Sequence, residues 1–246
     1  MKAQKNLVYL AGIVTLAILL CFIAYFFAGK KEIPEKETYK IAREKMVTQQ
    51  IEARGIKDKK VLEAMRTVPR HKFVSSNLES FAYEDIPLPI GCGQTISQPY
   101  IVALMTELLE LNKKDKVLEV GTGSGYQAAI LSEIITQVYT IEIFEELGIS
   151  ARDRLKDLGY NNVKVKIADG YYGWPEEAPF DAIIVTCVSD HIPPPLIEQL
   201  KDGGRMCIPL GNVFQVQNLM LVKKEKGKIS IKNILPVRFV PMLGEH

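Results

Sequence analysis

The stretch Val117-Leu118-Glu119-Val120-Gly121-Thr122-Gly123-Ser124-Gly125-Tyr126 constrains the fold of this chain more than any other. Apolar Val117, Leu118 and Val120 suit a strand covered on both faces. Gly121, Gly123 and Gly125 permit a tight turn and let the backbone approach a ligand with no Cβ in the way. A helix predicted over 126–135 then points its unpaired N–H groups at the same spot. Such a strand–turn–helix handles nucleotides, yet its spacing is G-x-G-x-G and not the dinucleotide G-x-G-x-x-G. A pyrophosphate needs the room that the third glycine of the longer motif makes. Glu119, two positions before Gly121, would repel a phosphate but accept hydrogen bonds from an ammonium group. A nucleoside carrying an amino acid, S-adenosyl-L-methionine, fits both features better than NAD does.

The surrounding pattern alternates strand and helix. Strand 117–120 leads to helix 126–135, strand 138–142 to helix 145–158, and strand 163–167 to a loop. Strand 180–187 is followed by a helix introduced by Pro193-Pro194-Pro195, then by strand 205–210. Segments 219–223 and 228–234 flank Lys226-Gly227 as a hairpin-like addition. The expected fold is therefore α/β, doubly wound around a mostly parallel sheet of Rossmann-like type. Upstream, 41–52 and 59–65 carry helical spacing, while the prolines and glycines of 85–93 predict an extended, irregular loop. Ser97-Gln98-Pro99 then starts a helix with Ser97 as its N-cap.

Residues 7–28 differ from everything after them: 22 positions without a charge. As a helix they would be about 33 Å long, enough to cross a bilayer. A cleaved signal peptide has a shorter apolar region and a small-residue cleavage site, whereas Tyr25, Phe26 and Phe27 occupy the end of this one. The reading is one N-terminal transmembrane helix within residues 1–29, a linker at 30–38 and a catalytic domain at 39–246. Basic residues after the span outnumber those before it, which favours a cytoplasm-facing domain over an exported or periplasmic one. The cysteines, Cys21, Cys92, Cys187 and Cys207, show no paired spacing and read as buried small hydrophobes. With 31 basic and 29 acidic side chains the net charge is +2, so no strongly basic face and no nucleic-acid partner is implied. His71 and His191 have no metal-ligand spacing to other donors, so no metal site is indicated.

Glu142 ends the second strand beside the glycine turn, where a carboxylate suits ribose hydroxyls; a solvated helix-start acid is the alternative. Asp169-Gly170 ends the third strand at the same edge, and reads equally as an adenine contact or a simple turn. Thr186 leaves the fourth strand facing the same crevice.

With these motifs laid out, the chain resembles the protein-L-isoaspartate O-methyltransferases from about residue 47 to residue 241. The most specific piece is Leu88-Pro89-Ile90-Gly91-Cys92-Gly93-Gln94-Thr95-Ile96-Ser97-Gln98-Pro99, similar to that family's signature loop almost residue for residue. Residues 117–127, Phe180-Asp181-Ala182-Ile183-Ile184-Val185-Thr186, Arg238-Phe239-Val240-Pro241 and Val68-Pro69-Arg70 resemble its other motifs. The resemblance implies methyl transfer from S-adenosyl-L-methionine to the α-carboxylate of L-isoaspartyl residues in damaged proteins. It implies Ser97 as the active-site serine that orients the carboxylate, with Gln94, Thr95 and Val240 on the substrate side. Ile96, Glu119, Gly121, Thr122, Gly123, Gly125, Glu142, Asp169 and Gly170 would hold the cofactor. Two other readings stay open: a different nucleotide-binding α/β enzyme, and a non-catalytic membrane-tethered module that binds damaged protein.

Overall fold

The computed structural model describes residues 37–245, and the candidate anchor at 7–28 lies outside them. Among the described residues no helix is long and apolar enough to cross a membrane. The first helix, α1 (Glu37–Lys45), starts inside the stretch read as linker and continues as a π turn over Met46–Ile51. The compact unit begins at Thr38. Helix α2 (Lys59–Thr67) is capped by Asp58, whose carboxylate accepts from the Lys60 N–H at 2.8 Å.

The proline-rich loop is more ordered than its composition suggests. It folds as an antiparallel hairpin, β1 (Leu88–Gly91) and β2 (Gln94–Ile96), turning at Gly91-Cys92-Gly93. All three turn residues have positive φ, so Cys92 at φ 50° holds a conformation that favours glycine. Cys92 is also exposed, unlike the buried Cys187 and Cys207, which corrects its reading as a core residue.

Seven strands make the central sheet: β3 (Lys116–Val120), β4 (Gln137–Glu142), β5 (Val163–Ile167), β6 (Phe180–Val185), β7 (Leu200–Leu210), β8 (Gln217–Glu225) and β9 (Lys228–Val237). Their order is β5-β4-β3-β6-β7-β8-β9, parallel through β7 and antiparallel beyond it. Helices α3 (Pro99–Leu108), α4 (Tyr126–Ile134), α5 (Glu145–Asp157) and α6 (Pro194–Gln199) complete the regular elements. The period of two along each strand divides the core. Val117, Val138, Ala182, Ile184 and Cys207 pack with α2 to α4 on one face. Leu118, Val120, Tyr139, Ile141, Ile183 and Met206 form a second cluster on the other. Burial on both faces is what a parallel sheet needs, and it explains the continuous apolar runs of β3 and β6.

Strands β4 and β5 add to one side of β3, and β6 and β7 to the other. The chain therefore reverses its winding at β3, and a crevice opens beyond the carboxyl end of that strand. The glycine turn sits there.

Candidate active site

Two clefts meet at this edge. The first, about 540 Å³, is lined by Gly121, Gly123, Glu142, Gly170 and Gln94 among others. The second, about 1070 Å³, is lined by Arg54, Ser97, Gln98 and Arg238 among others. Thr95, Thr186 and Val240 line both, so a ligand in one faces a ligand in the other across those three residues.

The first cleft is shaped by backbone. Gly121 has φ 98°, and a Cβ there would collide with the Thr186 hydroxyl, which bonds the Gly121 carbonyl at 2.7 Å. Gly125 has φ 88° and caps α4, with Leu155 packed 3.2 Å from where its Cβ would lie. Gly170 leaves no room for a side chain beside Val120. Glu142 is buried, and its two oxygens accept from the Gly123 N–H at 2.7 Å and the Phe144 N–H at 3.0 Å. These donors fix the carboxylate at the cleft wall and leave further lone pairs for a ligand's hydroxyls. Glu142→Ala is expected to weaken S-adenosyl-L-methionine binding about 10- to 100-fold, the worth of a charge-assisted bond. Calorimetric titration checks this, and unchanged affinity removes Glu142 from the site.

Glu119 is wholly buried and neither carboxyl oxygen has a hydrogen-bond partner. It lines a recess with Ile96, Ser97, Thr122 and Gln127 that shares Gly121 and Gly123 with the first cleft. Burial pushes its pKa up to about 8. The nearby Thr140 hydroxyl offsets part of that, but it is already engaged with Thr122 at 2.7 Å; Glu142 adds to the rise. An orphaned carboxyl of this kind fits the ammonium of an amino-acid-bearing nucleoside, and the Cβ-free turn fits close approach to it.

Asp169, read equally as an adenine contact or a simple turn, makes the turn. Its carboxylate caps a short turn by accepting from the Tyr171 N–H at 2.9 Å, and Gly244 of the C-terminal tail lies against it. Gly170, not Asp169, reaches the first cleft. The tail closes over that cleft through Met242 and Leu243, anchored where the Met242 N–H donates to Val188 at 2.7 Å.

Ser97 is not the N-cap of α3. The helix starts two residues later at Pro99, and Gln98 occupies the cap position with no side-chain bond. Asp85, twelve residues upstream of Ser97, does the capping work: it accepts from the Tyr100 N–H at 3.2 Å and from Gln98 Nε2 at 2.7 Å. The half-buried Ser97 hydroxyl is thus left to the second cleft. Of the residues placed on the substrate side, Thr95 and Val240 line both clefts, and Gln94 lines only the first. Ile96 is buried behind them.

Two cations line the second cleft; Arg54 carried no signal in the sequence, while Arg238 lies in the family-like segment 238–241. Arg54 follows no motif; it pairs with Asp85 at 2.6 Å and lies over the Tyr100 ring at 3.4 Å. Arg238 is exposed and makes no ion pair among the described residues, leaving its charge for a ligand. Arg70 has a scaffolding place: fully buried, it donates to the Ala82 carbonyl at 2.8 Å and lies over the Tyr126 ring at 4.8 Å. It ties the approach to the hairpin to the first residue of α4. His71 is packed, stacked on Tyr39 and bonded to the Tyr83 hydroxyl at 2.7 Å.

A family model described as protein-L-isoaspartate(D-aspartate) O-methyltransferase matches residues 41–246. The chain belongs to this family. Protein-L-isoaspartate O-methyltransferase 1 of Nitrosospira multiformis is 60% identical over 211 residues, covering 85% of this chain and 89% of its own. Protein-L-isoaspartate O-methyltransferase 2 of Syntrophobacter fumaroxidans is 52% identical over 240 residues, 94% of this chain and 97% of its own. A solved protein-L-isoaspartate O-methyltransferase superposes with a TM-score of 0.75 at 33% identity, over 82% of this chain and 66% of that one. One from Plasmodium falciparum, in complex with S-adenosyl-L-homocysteine, gives 0.71 at 26% identity, over 83% and 98%. Within the family's shared fold, the hairpin β1–β2 and the segment 238–241 of this chain are the parts that stand between the two clefts.

Proposed function

We propose that this chain moves the methyl group of S-adenosyl-L-methionine to the α-carboxylate of L-isoaspartyl residues in damaged proteins. The observation that carries this reading is the pair of clefts joined at Thr95, Thr186 and Val240. One is a glycine-lined nucleoside site with Glu142; the other has the Ser97 hydroxyl and the unpaired Arg238 for a carboxylate.

S-adenosyl-L-methionine, when bound, supplies an electrophilic methyl group on a sulfonium. The acceptor carboxylate is ionised at neutral pH, so no strong general base is needed. The work left to the protein is alignment and exclusion of water. Ser97 donates a hydrogen bond to the substrate carboxylate and turns one of its oxygens toward the other cleft. Arg238 attracts the anionic group electrostatically, and Glu119 and Glu142 hold the donor's ammonium and ribose. The hairpin and the 238–243 tail cover the junction. After release, the backbone nitrogen following the esterified residue attacks the ester carbonyl. Methanol leaves, a succinimide forms, and its hydrolysis returns part of the chain to the normal aspartyl linkage.

The expected result with a synthetic isoaspartyl peptide is a methyl ester that gives way to succinimide and then to some aspartyl peptide. Chromatography with mass detection follows all three. A peptide that stays isoaspartyl after long incubation with the donor contradicts the repair reading.

We further infer that residues 7–28 anchor the enzyme with its domain toward the cytoplasm; the support is their uncharged length and the excess of Lys and Arg after them. A reporter that is active only in the cytoplasm, fused after His246, is expected to be active in the membrane fraction. Activity confined to the exported form of the reporter sinks that orientation.

A further inference from the structure

The cleft that holds Ser97 has two unlike walls. Arg54, Ser97, Gln98 and Arg238 make up its polar lining, while Val216, Leu235, Pro236, Val237 and Phe239 make up an apolar one. The reacting carboxylate needs only the first. The lining reaches from Arg54 and Ser97 to Val216 and Phe239, well beyond what the reacting carboxylate alone would contact.

The apolar wall does not stop at the mouth of the cleft. It runs out into the loop between β7 and β8, where Phe214 is 94% exposed, Val216 52% and Val213 43%. Single apolar residues scattered over a surface need no explanation, but Val216 lines the cleft itself, and Phe214 and Val213 stand beside it in the same short loop. The loop is also built to stay in place. The Phe214 N–H donates to Asn212 Oδ1 at 2.8 Å, and the Gln215 N–H donates to the Asn212 carbonyl at 3.0 Å. Gln217 is 1% exposed, and its Nε2 donates to the carbonyls of Gln215 at 3.0 Å and Asn212 at 3.3 Å. Its Oε1 accepts from the Phe239 N–H at 2.8 Å. One buried amide therefore locks the loop carrying Phe214 to the segment carrying Phe239 and Val240. A loop whose backbone is already held loses little freedom when a partner covers it, which favours binding.

We propose that Phe214 and Val216 form a subsite for an apolar side chain of the substrate polypeptide adjoining the isoaspartyl residue. The subsite rests on the methyl-transfer reading and adds a substrate preference to it. A polypeptide lying across the cleft keeps its isoaspartyl carboxylate on the polar wall and sets a neighbouring side chain on the apolar rim. Apolar residues are buried in intact proteins, so the rim favours segments exposed by damage.

The test uses the full chain in detergent and two isoaspartyl peptides that differ only in the residues flanking the isoaspartyl position, leucine or serine. Initial methyl-transfer rates give kcat/KM for each. The leucine peptide is expected to be preferred about five- to tenfold, mostly through KM, as partial burial of such a side chain allows. Phe214→Ser should bring the ratio within about twofold of one, and Phe214→Leu should keep it. Phe214 is almost fully exposed, so neither change threatens the fold. A wild-type ratio near one overturns the subsite, and so does a ratio that Phe214→Ser leaves unmoved, as it would if the rim met lipid instead. If neither peptide is methylated, the methyl-transfer reading itself fails and takes the subsite with it.

Discussion

Ser97→Ala is expected to lower turnover on an isoaspartyl peptide about 100-fold while S-adenosyl-L-methionine affinity stays within about twofold. The hydroxyl lines the second cleft, whereas the turn after β3 and Glu142 line the first, which the proposed reading gives to the nucleoside. Losing a donor that fixes the attacking oxygen lets it drift, and a misplacement of about 1 Å costs on the order of 100-fold in rate. Stability should hardly change. The N–H of Tyr100 that a cap would satisfy is already bonded by Asp85, so removing the Ser97 hydroxyl uncaps nothing. Steady-state kinetics and thermal melting of the variant read the two effects separately. Turnover per folded molecule at the wild-type value would remove Ser97 from the reaction.

Glu119→Gln is expected to stabilise the cofactor-free protein at alkaline pH, by at most about 5 kcal/mol. Burial raises the folded pKa to about 8 from an ordinary value of 4.5. Between those values the folded state binds a proton that the unfolded state has released, so wild-type stability falls as pH rises through that window. Below about 4.5 the carboxyl is protonated in both states and the contribution to stability is fully present. Above about 8 it is lost, because the folded protein then buries an unpaired charge. Glutamine cannot ionise, so denaturant melts of the two proteins should converge near pH 4.5 and separate toward pH 9. A bound ammonium would instead favour the ionised form. At pH 7 the wild type should then release protons on binding S-adenosyl-L-methionine, and Glu119→Gln should not. Calorimetry in buffers of different ionisation enthalpy measures that difference. A stability gap independent of pH would show that folding does not raise the Glu119 pKa.

The cofactor side was legible in the sequence because its signals are local. A β3 run of apolar residues, three glycines and the start of α4 fall within ten positions, and Glu142 ends the neighbouring strand. The substrate side is assembled from distant pieces. Ser97 looks like a cap because serine before proline usually is one, and nothing nearby reveals that Asp85 has taken the role. Asp169 reads equally as a ligand contact or a turn, and the approach of Gly244, 75 positions later, is invisible in the sequence. The hairpin β1–β2 escaped because its strands are only four and three residues long and Pro87 and Pro89 mask any alternation. Strand β7 runs from Leu200 and not from 205: Leu200 already pairs with Phe180, and Lys201-Asp202-Gly203-Gly204 bulges out of register before Arg205 pairs with Ala182. Arg54, Arg238 and Gln217 have partners or clefts that only the folded chain defines. Their residue types alone distinguish them from no other surface Arg or Gln.

The central claim is that this site methylates the free α-carboxylate of an isoaspartyl linkage, and one comparison addresses it most directly. The full chain is given methyl-labelled S-adenosyl-L-methionine with two peptides of identical sequence, one holding an L-isoaspartyl residue and the other its L-aspartyl isomer. The aspartyl isomer carries the same charge but places its carboxylate on the side chain, out of line with the two clefts. Labelled methyl ester should accumulate on the isoaspartyl peptide, with the aspartyl isomer at least about 1000-fold slower, as a misplaced reacting group requires. Equal labelling of both peptides, or of neither, would contradict the assignment.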